Sequence, residues 1–353
     1  MTRVHSAAPV PAGLLAFYCP LDVEVSPDIK LFQQRTREWA ERFDLGEGDR
    51  ERTRMLALTG SSFLAHTYPH ATGAVGQALA DYSAWGWVPN DVIGSGCPLP
   101  EAVSLMGRWE FMMHSPHSWP ASTDPRDAAL ADVMARLRAL LSPVNWERFT
   151  AAQGTWLYQM GWEASLREQG ATLSVNDYLA LRFTAGAALA AGSYIAPVEG
   201  IELSADDWAH PVVRAASAAG LLVAVLDNDR YSYLRERHLP VQKENLFHAV
   251  QRDHPGLTVT EAIARGVAIR DRLMTLYLRL REQLLTGAAD DLRRHVTGID
   301  RIISGNINFC TATTRYLLTD AIDITTNTDK PTDPSTAPLP YPTIAWWWDQ
   351  LTP

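Results

Sequence analysis

Three oxygen-bearing side chains stand four residues apart in the second half of the chain. They are Asn228, Ser232 and Glu236, within Asn228-Asp229-Arg230-Tyr231-Ser232-Tyr233-Leu234-Arg235-Glu236. An amide oxygen, a hydroxyl and a carboxylate are hard donors, suited to Mg²⁺ rather than zinc. At 3.6 residues per turn they fall on one helix face over roughly 12 Å. Taken alone, this spacing fits an ordinary polar helix face as well as a metal site. The preceding residues 218–227 are apolar with no breaker after Gly220, which predicts a buried helix leading into the polar stretch.

The elements that must position such a site are bounded by composition. The chain has 353 residues and 46% hydrophobic content, enough for a sizeable core. Its net charge of −9 argues against nucleic acid or an anionic membrane as partner. An anionic substrate would need local arginines or metal ions to hold it. Cys19, Cys97 and Cys310 are far apart and odd in number, with neither zinc spacing nor a disulfide framework, which points to a reducing, cytoplasmic setting. The N-terminus lacks the apolar run of a signal peptide, and no stretch approaches the roughly 20 apolar residues of a membrane span.

Strand signals are nearly absent and no repeat of fixed period is visible, so the reading is an all-α single domain. Residues 1–28, with Pro9, Pro11, Pro20 and Pro27, read as an extended arm. Helical patterns follow over about 29–43, 49–67 and 72–88, the last stopping before Pro89. Residues 94–100 read as a loop. Further helices are expected over 100–113, 125–141, 144–169 and 174–194. Residues 207–236 give one or two more, and a last group spans 259–285 and 288–319. The helical domain is bounded at 29–320. The tail, 321–353, is expected to be partly mobile, with a linker at 329–334 before Trp346-Trp347-Trp348, and is a candidate lid. His114 and His117 straddle Pro116 and read as surface residues, and Asp206-Asp207 reads as a helix start.

Arg182 lies upstream of the opening motif, within Tyr178-Leu179-Ala180-Leu181-Arg182-Phe183, and Arg315-Tyr316 lies downstream. In this order and at these separations the features resemble the class I terpene synthases of bacteria. Phe17-Tyr18-Cys19-Pro20, Trp39, Tyr68-Pro69 and Trp85 are also similar to that family, and the resemblance covers most of the chain. It implies a class I terpenoid synthase helical bundle around a central active-site cavity. It implies too that a prenyl diphosphate, C15 or C20, linear or already cyclised, is ionised with Mg²⁺ and cyclised to a terpene hydrocarbon or alcohol. Up to three Mg²⁺ ions are implied, with Asn228, Ser232 and Glu236 holding one. Arg182 then senses the diphosphate, Arg315 and Tyr316 bind it, and Arg235 takes the place of a further basic contact. Guanidinium forks suit phosphate oxygens bidentately. Trp85, Trp87, Phe183 and Phe309 are candidates for cation–π contact with carbocations, although each taken alone is more often a core-packing residue. Gly186, a glycine in an Ala-rich helical run, matches the family's helix break, whose carbonyl points at the substrate. Helical dimers are common in the family, which leaves a homodimer open.

The chain departs from the pattern at the second metal motif. Where the family has Asp-Asp-x-x-Asp, this sequence reads Asn90-Asp91-Val92-Ile93-Gly94. An amide carries no charge and bridges metals poorly. Three readings stay open: a register change beside Pro89 that brings Asp91 into the role, a site with fewer protein ligands, fewer ions and more water, or a non-catalytic or metal-atypical diphosphate-binding relative.

Overall fold

The apolar run ahead of the 228–236 motif forms the central helix of an all-α bundle. The computed structural model describes residues 17–94, 96–118, 122–236, 244–313 and 327–352. Arg315 and Tyr316, and the side chains of Phe17, Leu234, Arg235, Glu236 and Asn327, lie outside the described residues. In chain order the helices are α1 (Ile29–Arg42), α2 (Arg50–Thr67), α3 (Gly73–Gly94), α4 (Leu99–His114), α5 (Pro125–Leu140), α6 (Pro143–Gln169), α7 (Val175–Ala185), α8 (Ala188–Gly192), α9 (Ile195–Glu199) and α10 (Ala205–Ala209). They continue as α11 (Pro211–Glu236), α12 (Leu246–Asp253), α13 (Val259–Leu285), α14 (Asp290–Ala312) and α15 (Pro342–Ala345). Two short strands, β1 (Phe17–Tyr18) and β2 (Asn327–Thr328), pair in parallel.

Local chemistry sets most boundaries. Asp49, Ser142 and Ser174 cap α2, α6 and α7 by accepting from first-turn N–H groups. Thr258 and Glu261 form a reciprocal capping box at the start of α13. Gly170 closes α6 in the left-handed conformation that glycine adopts without strain. Asp206 and Asp207 occupy the first turn of α10, as the helix-start reading expects.

α11 packs against α13, α14, α7 and α8. Its segment Pro211–Tyr233 has the length and hydropathy of a membrane span, contrary to the sequence reading, but 61% of that window is buried inside the bundle. It is apolar because it is the core. Its charges are met by partners: Arg270 of α13 grips Asp227 with Nε and Nη2, each at 2.7 Å. Burial pushes the Asp227 carboxyl up while Arg270 pulls it down. A second close approach joins α14 to α2, where a Cβ on Gly305 would lie 2.1 Å from the His66 carbonyl oxygen.

Two segments differ from expectation. α3 does not stop before Pro89 but runs through it to Gly94, with Pro89 buried. The expected 174–194 helix breaks after Ala185, and the chain turns at Gly186 and Ala187 before α8 begins. Within 329–334, Thr332 donates its N–H and its hydroxyl to Asp271 Oδ2, each at 2.9 Å. α12 adds a helix that sequence patterning did not separate.

Candidate active site

The unbroken course of α3 decides which side chains meet α11. Ser83, Gly86, Trp87 and Asn90 recur at helical spacing and line one wall of a cavity. Asp91, about 100° further round the helix, does not line it. α3 runs through Pro89 as far as Gly94, so Asn90 and Asp91 lie on one continuous helix. Ala224, Val225 and Asn228 of α11 form the facing wall, with Ile302, Asn306 and Phe309 of α14 beside them. Gln153 and Trp156 of α6, then Arg182, Gly186 and Ala190 from around the α7–α8 break, complete it. The water-accessible space between the walls is about 180 Å³.

Arg182 is the only charged side chain among the described lining residues. Its Nε donates to Asp229 Oδ1 at 2.6 Å, and its Nη2 to Asn228 Oδ1 at 2.9 Å and Val225 O at 3.3 Å. Asp229 is 2% exposed and also accepts from the Tyr178 hydroxyl at 2.5 Å and the Leu246 N–H at 3.3 Å. Burial pushes its carboxyl up; Arg182 and these donors oppose the shift. Tyr178 and Arg182 are one helical turn apart and reach the same carboxylate, which fixes the guanidinium at the cavity edge. Neither Tyr178 nor Asp229 carried a role in the sequence reading, although the i, i+4 spacing was a usable signal.

Gly186 is required by this geometry. Its N–H donates to the Arg182 carbonyl at 3.0 Å, and a Cβ there would lie 2.3 Å from that oxygen and 2.9 Å from Arg182 Nη1. The next residue, Ala187, has φ +64°, a left-handed conformation that costs a non-glycine residue roughly 1–2 kcal/mol. The turn redirects the chain so that Ala190 and Ala191 border the cavity.

The aromatic expectations divide. Trp87 and Phe309 line the cavity and stack with centroids 6.5 Å apart. Trp85 does not line it: it is fully buried on the opposite face of α3, edge-on to Trp109, and donates its indole N–H to the Arg126 carbonyl at 3.0 Å. Phe183 does not line it either and packs edge-on against Trp347, centroids 6.4 Å apart. Phe63, Tyr82, Trp156 and Tyr194 line the cavity without having been singled out, because nothing local distinguishes a cavity aromatic from a core one.

Asn228 and Ser232 stand one turn apart on α11, and Ser232 Oγ lies 3.4 Å from the Asp229 carbonyl oxygen. Their amide and hydroxyl oxygens are hard donors of the type Mg²⁺ takes. No group of three His, Cys, Asp or Glu among the described residues forms an alternative metal centre. Of the other candidates, Arg235, Glu236, Arg315 and Tyr316 lie outside the described side chains. His114 pairs with Glu110 at 3.3 Å on the surface of α4.

An all-α bundle around an aromatic cavity, with oxygen donors and an arginine at its edge, is the architecture of a class I terpenoid synthase. Residues 81–275 match the family described as terpene synthase family 2, C-terminal metal binding. Among similar proteins is diterpene cyclase DtcycB of a Streptomyces species, 38% identical over 97% of this chain and 98% of that protein. The (+)-T-muurolol synthase of Streptomyces clavuligerus, described as (2E,6E)-farnesyl diphosphate cyclizing, is 29% identical over 95% of this chain and 82% of that protein. The crystal structure of the SVS_A2 protein from ancestral sequence reconstruction superposes with a TM-score of 0.82 at 27% identity, covering 95% of this chain and 98% of that one. The chain belongs to the bacterial class I terpene synthases, and it is a terpene cyclase.

Proposed function

We propose that the substrate is an acyclic C20 prenyl diphosphate, ionised with Mg²⁺ and cyclised to a diterpene hydrocarbon or alcohol. The observation that supports the chain length is the 38% identity, over 97% of this chain, to a protein named diterpene cyclase.

The C–O bond to diphosphate breaks with its electron pair leaving on oxygen, and the carbon skeleton becomes a carbocation. Arg182 binds the departing diphosphate, giving up its bond to Asn228 for phosphate oxygens. Asn228, Ser232 and Glu236 would hold a metal ion, and Asn90 lines the same cavity as Asn228. Bound there, Mg²⁺ supplies Lewis-acid stabilisation of the leaving group. Trp87, Phe309 and their aromatic neighbours present π-faces to the cation and keep water out. Loss of a proton, or capture of a single water, ends the sequence as an alkene or an alcohol.

The test compares kcat/KM for acyclic C10, C15, C20 and C25 diphosphates. Preference for C20 over C15 by roughly tenfold or more is expected. Preference for C15 of that size would overturn the chain-length assignment.

A further inference from the structure

The segment Trp346-Trp347-Trp348 has no part in the chemistry above, yet two of its three rings are buried: Trp347 is 4% and Trp348 7% exposed. Residues 327–352 form a strap over the outside of the bundle. It begins at the β1–β2 pair and is held to α13 by Asp271, which takes both bonds from Thr332. Arg272 donates to the carbonyls of Ala337 and Pro338. α15 then crosses α7, and the chain returns to α13, where Gln283 bonds Gln350 and Thr352.

The crossing is made at two points of one helix face. Thr343 bonds Asn176 at the start of α7: its N–H donates to Oδ1 at 3.1 Å, and its hydroxyl lies 3.0 Å from that same oxygen. Trp347 packs edge-on against Phe183 near the other end. Asn176 and Phe183 are seven residues apart, hence on one stripe of the helix. Arg182 is the neighbour of Phe183 and points to the inner side, toward Asp229 and Asn228.

An eleven-residue helix is marginal unless packed, and α7 cannot lean on a continuous helix beyond it, because the chain breaks at Gly186. It is gripped from inside by Asp229, through Tyr178 and Arg182, and from outside by the strap. When Arg182 exchanges its Asn228 bond for phosphate oxygens, Asp229 and the packing of α6, α11 and α12 still hold α7, and the strap adds the contact on its outer face.

We infer that the C-terminal strap positions α7 for diphosphate binding, with Trp347 as the positioning residue acting through Phe183. This rests on the assignment of Arg182 as a diphosphate group. Displacing a binding group by a fraction of an ångström weakens an interaction without abolishing the fold, so the effect falls on affinity.

The experiment measures two quantities in the full chain: KM and kcat for the acyclic C20 diphosphate, and calorimetric Kd for inorganic diphosphate with Mg²⁺. Trp347→Ala is expected to raise both KM and Kd roughly tenfold while kcat stays within about threefold. Trp347→Phe, which keeps an aromatic ring against Phe183, restores both. Thr343→Val, an exposed change that folds even if Trp347→Ala does not, raises Kd in the same direction by roughly threefold. Unchanged KM and Kd in Trp347→Ala, or in Thr343→Val should the first not fold, overturn the inference whatever happens to melting temperature. A wild-type protein that fails to bind diphosphate would instead overturn the role of Arg182 beneath it.

Discussion

The amide oxygen of Asn228, the first donor of the 228–236 motif, accepts a hydrogen bond from Arg182 Nη2 at 2.9 Å. The group expected to bind metal and the group expected to bind diphosphate therefore hold each other before substrate arrives. Release of one frees the other, so the two ligands are thermodynamically coupled. Calorimetric titration with Mg²⁺ should give weak binding alone and at least roughly fivefold tighter binding with inorganic diphosphate present. Equal affinity in both conditions contradicts the coupling.

Removing Arg182 has a structural cost besides its effect on turnover. Asp229 is 2% exposed, and Arg182→Ala leaves its carboxylate without its main counter-charge. A loss of about 3 kcal/mol in stability is expected. The double variant Arg182→Ala/Asp229→Asn should recover much of it, because the buried charge is gone. Chemical denaturation of the single and double variants checks this. Turnover should stay low in both.

Asn90 lines the cavity and Asp91 does not. Asn90→Asp should tighten Mg²⁺ binding in the presence of diphosphate by roughly tenfold, since a carboxylate replaces a neutral amide at the same place. Asp91→Asn should leave that affinity within about twofold. The opposite ranking would place Asp91 at the metal.

Gly186→Ala puts a methyl group 2.3 Å from the Arg182 carbonyl oxygen and 2.9 Å from its guanidinium. The turn must shift and carry Arg182 with it. A fall in kcat/KM of roughly a hundredfold is expected, with a smaller change in melting temperature. Wild-type kinetics in this variant would show that the tight turn has no bearing on the site.

His295 is 5% exposed, with its Nε2 3.1 Å from Ser217 Oγ, and burial lowers its pKa from 6.5 to about 4. Between those two values the unfolded chain takes up a proton that the folded chain refuses. Stability is thus intact above pH 6.5 and falls by about 3 kcal/mol as the pH drops to 4. His295→Gln should flatten that part of the stability-versus-pH curve. A curve of unchanged slope would assign the acid sensitivity elsewhere.

The all-α class, most helix limits and the family were legible in the sequence because they rest on local signals. Periodicity marks helices, caps mark their starts, and Asn228, Ser232 and Arg182 have unusual types at fixed spacing. What was not legible depends on contacts between distant segments. Pro89 reads as a stop, but α3 continues because tertiary packing of its flanks outweighs the lost hydrogen bond. Trp85 and Trp87 look equivalent in sequence, yet two residues on a helix are about 200° apart, so one faces Trp109 and the other the cavity. Phe183 reads as a candidate for carbocation contact, whereas its partner, Trp347, is supplied by the far end of the chain. The family resemblance pointed to a break at Gly186 where the helical pattern ran on to 194; the strained Ala187 beside it gave no signal, since alanine normally continues a helix.

On the proposed function, the cavity between α3, α11 and α14 ionises and cyclises a C20 prenyl diphosphate with divalent metal. The most direct measurement incubates the protein with the acyclic C20 diphosphate, with and without Mg²⁺, and quantifies released diphosphate alongside the organic products. A cyclic C20 hydrocarbon or alcohol formed in equal amount to diphosphate, only with metal, is the predicted result. Intact substrate, or only the linear alcohol of simple hydrolysis, would contradict the account.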